Sequence, residues 1–559
     1  MPLYTSTGAF NVAVNDTTGR GRYSASGALR INLVTGASYV GLYAADGALN
    51  VVDVSGIAVS TYGGLYHPSG AIRGRTAPNT LSGLQAPDGS YYLNGLFSPL
   101  NIFSAGEQGV WYDPSDFSTM FQDNAGTTPV TAVEQTVGLI LDKSKGLTLG
   151  TELITNGNFA TDTNWTKGTG WTISGGVASF SAGTGSELTQ TGRNFAANTT
   201  YKITFDMTQV SGGGFRFIVD TTGSFVSSYF TTTASHTLVF SVGATSTRLR
   251  LGALGGASFS IDNISIKALA GTHASQSTLA SRPTLSARVN QLVATATLST
   301  QSVTTLAATY TLAFSGTGTV TATGTNIGVY SAGSNSLVCT AGTLTLTVVG
   351  SVTLADLRVT NDGVGLPTYQ NVVTSTNYDT SGFPLFLRFD GNDDSLATTS
   401  ITPGTDKAPV FAGIRKTSDA ALAIVAELSA TIASNAGSFA LTAPNSAAAN
   451  YNFSSKGTTQ TDNTVTTYTS PLTSVLSGIA DIAGASNLIR VNGVQVGSVL
   501  TTQGTGNYLA YPLYIGRRGG TSNPFTGRLY SLIMRFGANL SDAQITSTET
   551  WINGKTKAY

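Results

Sequence analysis

The chain of 559 residues carries one cysteine, Cys339, and three histidines. A lone thiol excludes an intrachain disulfide framework, and its apolar surroundings predict a small buried hydrophobe in a strand. His67, His236 and His273 fall in different segments with no cysteine or glutamate at ligand spacing, which argues against zinc and against a Ser-His-Asp triad. Charge is scarce as well: Asp, Glu, Lys and Arg make up 10% of the residues, where an ordinary soluble chain carries about a quarter. The 29 basic and 29 acidic residues cancel, so bulk electrostatics hold neither nucleic acid nor an anionic membrane. No run of about 18 apolar residues occurs, and the opening MPLYTSTGAFNVAV lacks a basic stretch followed by an apolar one. The expectation is a protein made in the cytosol, without a signal peptide and without membrane insertion.

What the chain does have is glycine, 65 residues of it, and abundant Ser and Thr. Helical periodicity is nearly absent before the end, whereas runs such as YKITFDM, FRFIVD, TLVFSV and TLTLTVV alternate in the manner of half-buried strands. Gly, Asn and Asp punctuate them at short intervals. The fold class that follows is all-β, with antiparallel sandwiches (jelly rolls) and one short C-terminal helix. Near the N-terminus a motif recurs with turn glycines at Gly8, Gly27, Gly47, Gly70 and Gly89. Each copy reads as a Tyr-bearing strand, a Gly turn and a return strand, so residues 1–95 are expected to be β-hairpin repeats forming a shaft or attachment region.

Residues 96–150 contain GVWYDPSDFSTMFQDNAGTTPVTAVEQTVGLILDKS, which resembles connector segments of bacteriophage tail and fibre proteins. Residues 151–268 open with LITNGNF and close with IDNISI, and resemble carbohydrate-binding modules of the galactose-binding-like jelly-roll kind. That resemblance implies a structural Ca²⁺ between first and last strands, with Asn158 and Asp262 as ligands. Ala160 stands where the family commonly has an acidic residue, which weakens the site. It also implies sugar stacking on Trp165, Trp171 and Tyr229, the alternative for the two tryptophans being core packing in the first hairpin. Residues 269–363 are a Thr-rich strand series that reads as a small β-sandwich.

Residues 364–559 resemble concanavalin A-like (laminin G-like) lectin domains. The resemblance rests on Phe389-Asp390-Gly391-Asn392-Asp393-Asp394-Ser395-Leu396, the Asn492-Gly493 hairpin turn, Tyr514–Arg517 and Phe525–Tyr530. A terminal helix capped by Ser541 and Gln544, with Ile545 and Trp551 facing the sandwich, completes it. Arg517 is the candidate contact for an acidic sugar. This fold also serves glycan-cleaving enzymes, but a retaining glycosidase needs two carboxylates about 5–5.5 Å apart, and no such motif occurs around Glu427 or Glu549, the two glutamates of the region. The expectation is therefore a non-enzymatic phage fibre or adhesin, with other virion proteins and host surface polysaccharide as partners and a homotrimer as assembly. Localisation would be the virion, after synthesis in the host cytoplasm. A capsular depolymerase and a structural head or tail decoration protein are the alternatives.

Overall fold

The computed structural model describes residues 97–219 and 225–559 and, ahead of them, four short strands. The chain divides after Phe97. In the N-terminal part the strands are Asn11–Ala13, Tyr23–Ser24, Arg30–Asn32 and Tyr43–Ala44. Asn11 pairs with Arg30 and Tyr23 with Tyr43, in parallel, 19 and 20 positions apart. Tyr23 and Tyr43 are equivalent positions of successive repeats, so this pairing stacks copy on copy, whereas a hairpin pairs antiparallel within one copy. The five turn glycines and the hairpins they were expected to close lie outside the described residues, as does His67.

From Ser98 onward the chain is almost entirely antiparallel β, with one α-helix, Asp542–Thr556, among the described residues. Its largest body is a sandwich of a nine-stranded and an eight-stranded sheet. Val110, Ile140, Leu285, Phe389, Val410, Phe439, Leu476 and Leu532 belong to the core between them. The strand Thr526–Phe536 is central, flanked by Lys407–Lys416 on one side and by Phe386–Asp390 and Gln108–Tyr112 on the other. The helix starts in a capping box of Ser541 and Gln544 and lies so close to Gly413 that a Cβ there would meet Ile552 and Thr556 at 2.7 and 2.6 Å. Trp551 meets Trp111 edge to face at 5.6 Å. Asn492 and Gly493 have φ of 51° and 79°, the left-handed pair that a two-residue hairpin turn needs.

The pairings redraw the domain boundaries. The described part of the expected connector, 97–150, carries strands of the large sandwich. Gln108–Tyr112 pairs with Thr526–Phe536, and Met120–Phe121 with Leu139–Ile140 finishes one edge of the nine-stranded sheet. Ala274–Ser275 and Thr284–Ser286, expected in the Thr-rich unit, pair with Leu396–Ile401 and Phe386–Asp390 of the large sandwich. The large sandwich is thus built from 98–148, 270–290 and 362–559, and the other two bodies are insertions into it. The WYDPSD motif helps to close it: Asp113 receives Lys143 and Lys555, and Asp116 caps the following turn while pairing with Lys143 at 2.7 Å.

The first insertion is a jelly roll of two sheets around an aromatic core that includes Trp171, Phe180, Phe205, Phe215, Phe217 and Phe259. Its first strand, Leu149–Glu152, pairs with its last, Ser258–Leu269, which brings both ends to one neck. The second insertion is one five-stranded sheet rather than two stacked sheets. Its long strand Ala308–Gly324 pairs with Thr353–Val359 along its first half and with Gly342–Val349 along its second, and its pairing with Gly328–Cys339 breaks register between Phe314 and Thr319. At that break Gly316 has φ +109° and its missing Cβ would lie 2.2 Å from the Ser351 carbonyl oxygen. Changing pairing partners part-way lets a single sheet wrap Tyr310, Leu312, Val320 and Leu344. Cys339 is buried there and free, as its apolar setting predicted. Asn290 and Gln370, both fully buried, tie this insertion to the body: Asn290 Nδ2 donates to the Ala355 and Gln370 carbonyls, and Gln370 Oε1 accepts from the Val289 and Asn290 amides.

Candidate functional site

The jelly roll docks on the large sandwich through its six-stranded sheet, where Val239 packs with Phe121, Leu139, Leu141 and Leu269. Its five-stranded sheet keeps an outward face in solvent. Alternation along Phe215–Val219, Ser246–Ala253 and Glu187–Phe195 buries Phe215, Phe217, Leu249, Leu251 and Leu188 and turns Arg216, Arg248, Arg250, Glu187 and Thr189 outward. The register sets Glu187 and Arg216 on either side of Gly252, and Thr189 and Ile218 on either side of Arg250. Ile218 and Arg216 lean over Gly252, where a Cβ would lie 3.2 Å from Ile218 Cδ1 and 3.9 Å from Arg216 Cγ. Arg250 Nη1 donates to Glu187 at 2.6 Å. Tyr229, 40% exposed, lies beside this face with the Arg216 guanidinium 5.1 Å from its ring centroid.

Of the aromatic residues expected to stack sugars, Tyr229 alone is on the surface. Trp165 and Trp171 are 7% and 5% exposed. Trp165 tilts against Phe159 and donates its indole N–H to the Asn156 carbonyl; Trp171 packs on Phe180 and Phe259. Thr172 and Ser174 on the Trp171 strand take the solvent side, and burial leaves neither indole face for a ligand. The outward arginines were missed, although FRF and RLRL already carry the alternation that exposes them.

Arg517 does not offer a free guanidinium. Nη1 donates to the Asp393 carbonyl and Nη2 to the Thr521 carbonyl, so it braces two loops. Asn158 and Asp262 do not make a calcium cage. Asn158 is exposed, and Asp262 Oδ1 accepts from the Asn263 amide at 2.6 Å. Glu152, on the first strand, accepts from the Ile154 and Ile266 amides. One carboxylate and one amide fall short of the six to eight oxygens that Ca²⁺ takes.

Asp390, Asp393 and Asp394 bring carboxylate oxygens within 4.8 Å of one another. They serve their own loop: Asp390 accepts from the Asn392 amide and side chain, Asp393 from the Ser281 hydroxyl, and Asp394 from the Asp390 amide. Burial, with Asp390 and Asp393 adding repulsion, pushes the Asp394 carboxyl up to about 7. Its folded-state pKa is thus above the unfolded one, and the stability it contributes is full below about pH 4 and lost as pH rises through about 7. Asp394→Asn is expected to match the native protein at pH 4 and to exceed its stability by about 2–4 kcal/mol at pH 8. Denaturant midpoints at the two pH values check this, and a midpoint at pH 8 no higher than the native one contradicts it.

The two glutamates weighed for catalysis are buried partners of arginines. Glu427 binds Arg518 at 2.9 Å and also accepts the Ile432 amide, while Glu549 takes Arg490 and the Ser477 hydroxyl. His236 stacks on Phe205 at 4.9 Å, and His273 sits at the jelly-roll neck. No helix among the described residues is long and apolar enough to cross a membrane.

No family model and no curated protein matches the sequence. Among solved structures, the chain is similar to the CBM40 module of a Ruminococcus gnavus sialidase, also solved with α2,3-sialyllactose, and to the binding domain of botulinum neurotoxin serotype D. The first likeness has 14% identity and a TM-score of 0.23, and covers 26% of this chain and 84% of the module. The second has 12% identity and a TM-score of 0.25, and covers 30% of this chain and 42% of the toxin domain.

Proposed function

We propose that the protein is a glycan-binding bacteriophage appendage, a homotrimeric fibre or adhesin of the virion that contacts host surface polysaccharide during adsorption, and that the outward jelly-roll face makes the contact. The observation that carries this reading is Arg216 stacked over exposed Tyr229 at the edge of the outward sheet face. A guanidinium forks onto a sugar carboxylate, and an aromatic ring supplies apolar area to pyranose C–H groups. Binding rather than cleavage is supported by Glu427 and Glu549, each consumed by a buried ion pair. Weak single-site affinity suits an appendage present in several copies.

Arg216→Ala and Tyr229→Ala are each expected to weaken binding to carboxylated bacterial polysaccharides at least tenfold, about 1.4 kcal/mol. Both side chains stand outside the aromatic core, so the fold is retained. Surface-immobilised polysaccharide titrated with the full chain reads the affinity, and equal binding by both variants removes the reading. The same incubations are expected to release no reducing ends; their release would favour a depolymerase. Purified protein is expected to block phage adsorption, and failure to compete would favour a decoration role.

A further inference from the structure

Between the jelly roll and the large sandwich lies a cavity of about 420 Å³, distinct from the outward sheet face. Thr200 and Ser241 come to it from the jelly roll, and Ser275, Ser395 and Thr398 from the large sandwich. Among the described residues no Asp, Glu, Lys or Arg lines it. His273, 7% exposed, also lines it, and its Nε2 is buried without a hydrogen-bond partner. The tautomer follows from the other nitrogen: Nδ1 accepts the Asp142 amide at 2.9 Å, so the proton sits on Nε2. Burial outweighs the Leu269 backbone and holds the imidazole near a pKa of about 4, so the ring is a neutral donor at physiological pH. The Leu269 backbone serves this buried donor only outside good hydrogen-bond geometry, and a ligand oxygen that reaches it recovers part of the cost of burying it.

We propose that this cleft is a second binding site, which takes one uncharged sugar unit, a hexose, deoxyhexose or N-acetylhexosamine, through hydroxyl-to-hydroxyl hydrogen bonds and the His273 Nε2–H. The volume falls within the range of small-ligand pockets. A lining of hydroxyls and amides meets a sugar's hydroxyls with donors and acceptors alike: the Thr200 and Ser241 hydroxyls already bond each other at 2.8 Å, and Ser395 Oγ accepts from Gln276. A charged ligand would be desolvated here with no counter-charge. The site is therefore complementary to the arginine-bearing sheet face, one reading neutral units and the other acidic ones.

The test uses the full chain and saturation-transfer NMR with glucose, galactose, rhamnose, N-acetylglucosamine and, as the charged probe, galacturonic acid. At least one neutral sugar is expected to receive saturation. Ser277→Trp, at an exposed rim position, is expected to reduce that signal at least tenfold by filling the cleft. His273→Asn keeps an acceptor for the Asp142 amide but withdraws the Nε2 donor, and a loss of similar size is expected. Arg216→Ala is expected to lower transfer to galacturonic acid, which separates the sheet face from this site. Absence of transfer to all four neutral sugars, or undiminished transfer in Ser277→Trp, overturns the proposal, as does galacturonic acid transfer that Ser277→Trp abolishes.

Discussion

Asp142→Ala is expected to cost the large sandwich about 3–5 kcal/mol, because one buried carboxylate ties together the neck from which the jelly roll emerges. Asp142 is fully buried. Its two oxygens accept the amides of Trp111, Ser144 and Thr272 and the Ser144 hydroxyl, all at 2.8 Å. Trp111 belongs to the strand paired with Thr526–Phe536, and Thr272 follows the jelly roll's last strand. Removing the carboxylate leaves three buried N–H groups without acceptors, each worth roughly 1–3 kcal/mol. Gly271 enforces the approach: its φ is +130°, and a Cβ there would lie 3.0 Å from Asp142 Oδ2. Burial pushes the carboxyl up to about 6 against the pull of those hydrogen bonds. The stability it contributes is thus greatest below about pH 4 and declines as pH rises through about 6. Segment-resolved hydrogen exchange gives the readout. Gln108–Tyr112 and Ala274–Ser275 are expected to lose protection while the jelly roll, which has its own core, keeps it. Unchanged protection at the neck would refute the assignment.

How much of this was legible in the sequence depends on the range of the interaction involved. Alternation gave the strands, since a period of two reports directly which side chains are buried, but LITNGNF, expected as the jelly roll's first strand, follows it: Leu149–Glu152 is the strand that pairs with Ser258–Leu269. The Asn492-Gly493 turn, the Ser541–Gln544 cap and buried Cys339 were local features and were readable as such. The nested architecture was not, because no local pattern announces that Tyr112 pairs with Leu532 or that Asp142 receives Thr272. A contiguous reading of the chain turns such strands into a connector. At the candidate site the ring of Tyr229 is exposed, and of the two readings of the tryptophans core packing holds, because aromatic character alone does not tell which face of a pleat a side chain occupies. Arg216 and Arg248 carried that information in their alternation with Phe and Leu. The cleft could not be foreseen, since its two walls belong to bodies that only the neck brings together.

The nesting also bears on how the two proposed binding surfaces sit relative to each other. Each insertion leaves and re-enters the large sandwich through adjacent ends fixed by buried polar side chains, Asp142 at one neck and Asn290 with Gln370 at the other. Two anchored strands constrain orientation more than a single linker would. The jelly roll can therefore present its arginine face and share a cleft with the body at the same time, which a flexibly tethered module would not do.

The second neck leads to the other large expected effect. Asp362, 4% exposed, follows the inserted Thr-rich sheet and sits between two arginines of the large sandwich, Arg528 at 2.6 Å and Arg415 at 3.6 Å. Arg415 is 1% exposed and also donates to Thr473 and Asn361; Arg528 lies over the Phe386 ring at 4.6 Å. Burial alone would raise the Asp362 carboxyl, but the two guanidinium groups hold it below the usual range. Asp362→Asn is expected to cost about 3–5 kcal/mol at pH 7, since it strands two buried cations without a counter-charge. A depressed carboxyl contributes its stability above the unfolded pKa of about 4, and that contribution is lost as pH falls through the folded value. The gap between native and variant midpoints should therefore narrow in acid. Coupling is the sharper measurement: Arg528→Met in the Asp362→Asn background is expected to recover part of the loss, because it removes one of the uncompensated charges. Additive losses in the double variant would mean that Asp362 acts through packing alone, and that the charge pair does not fasten the insertion to the sandwich.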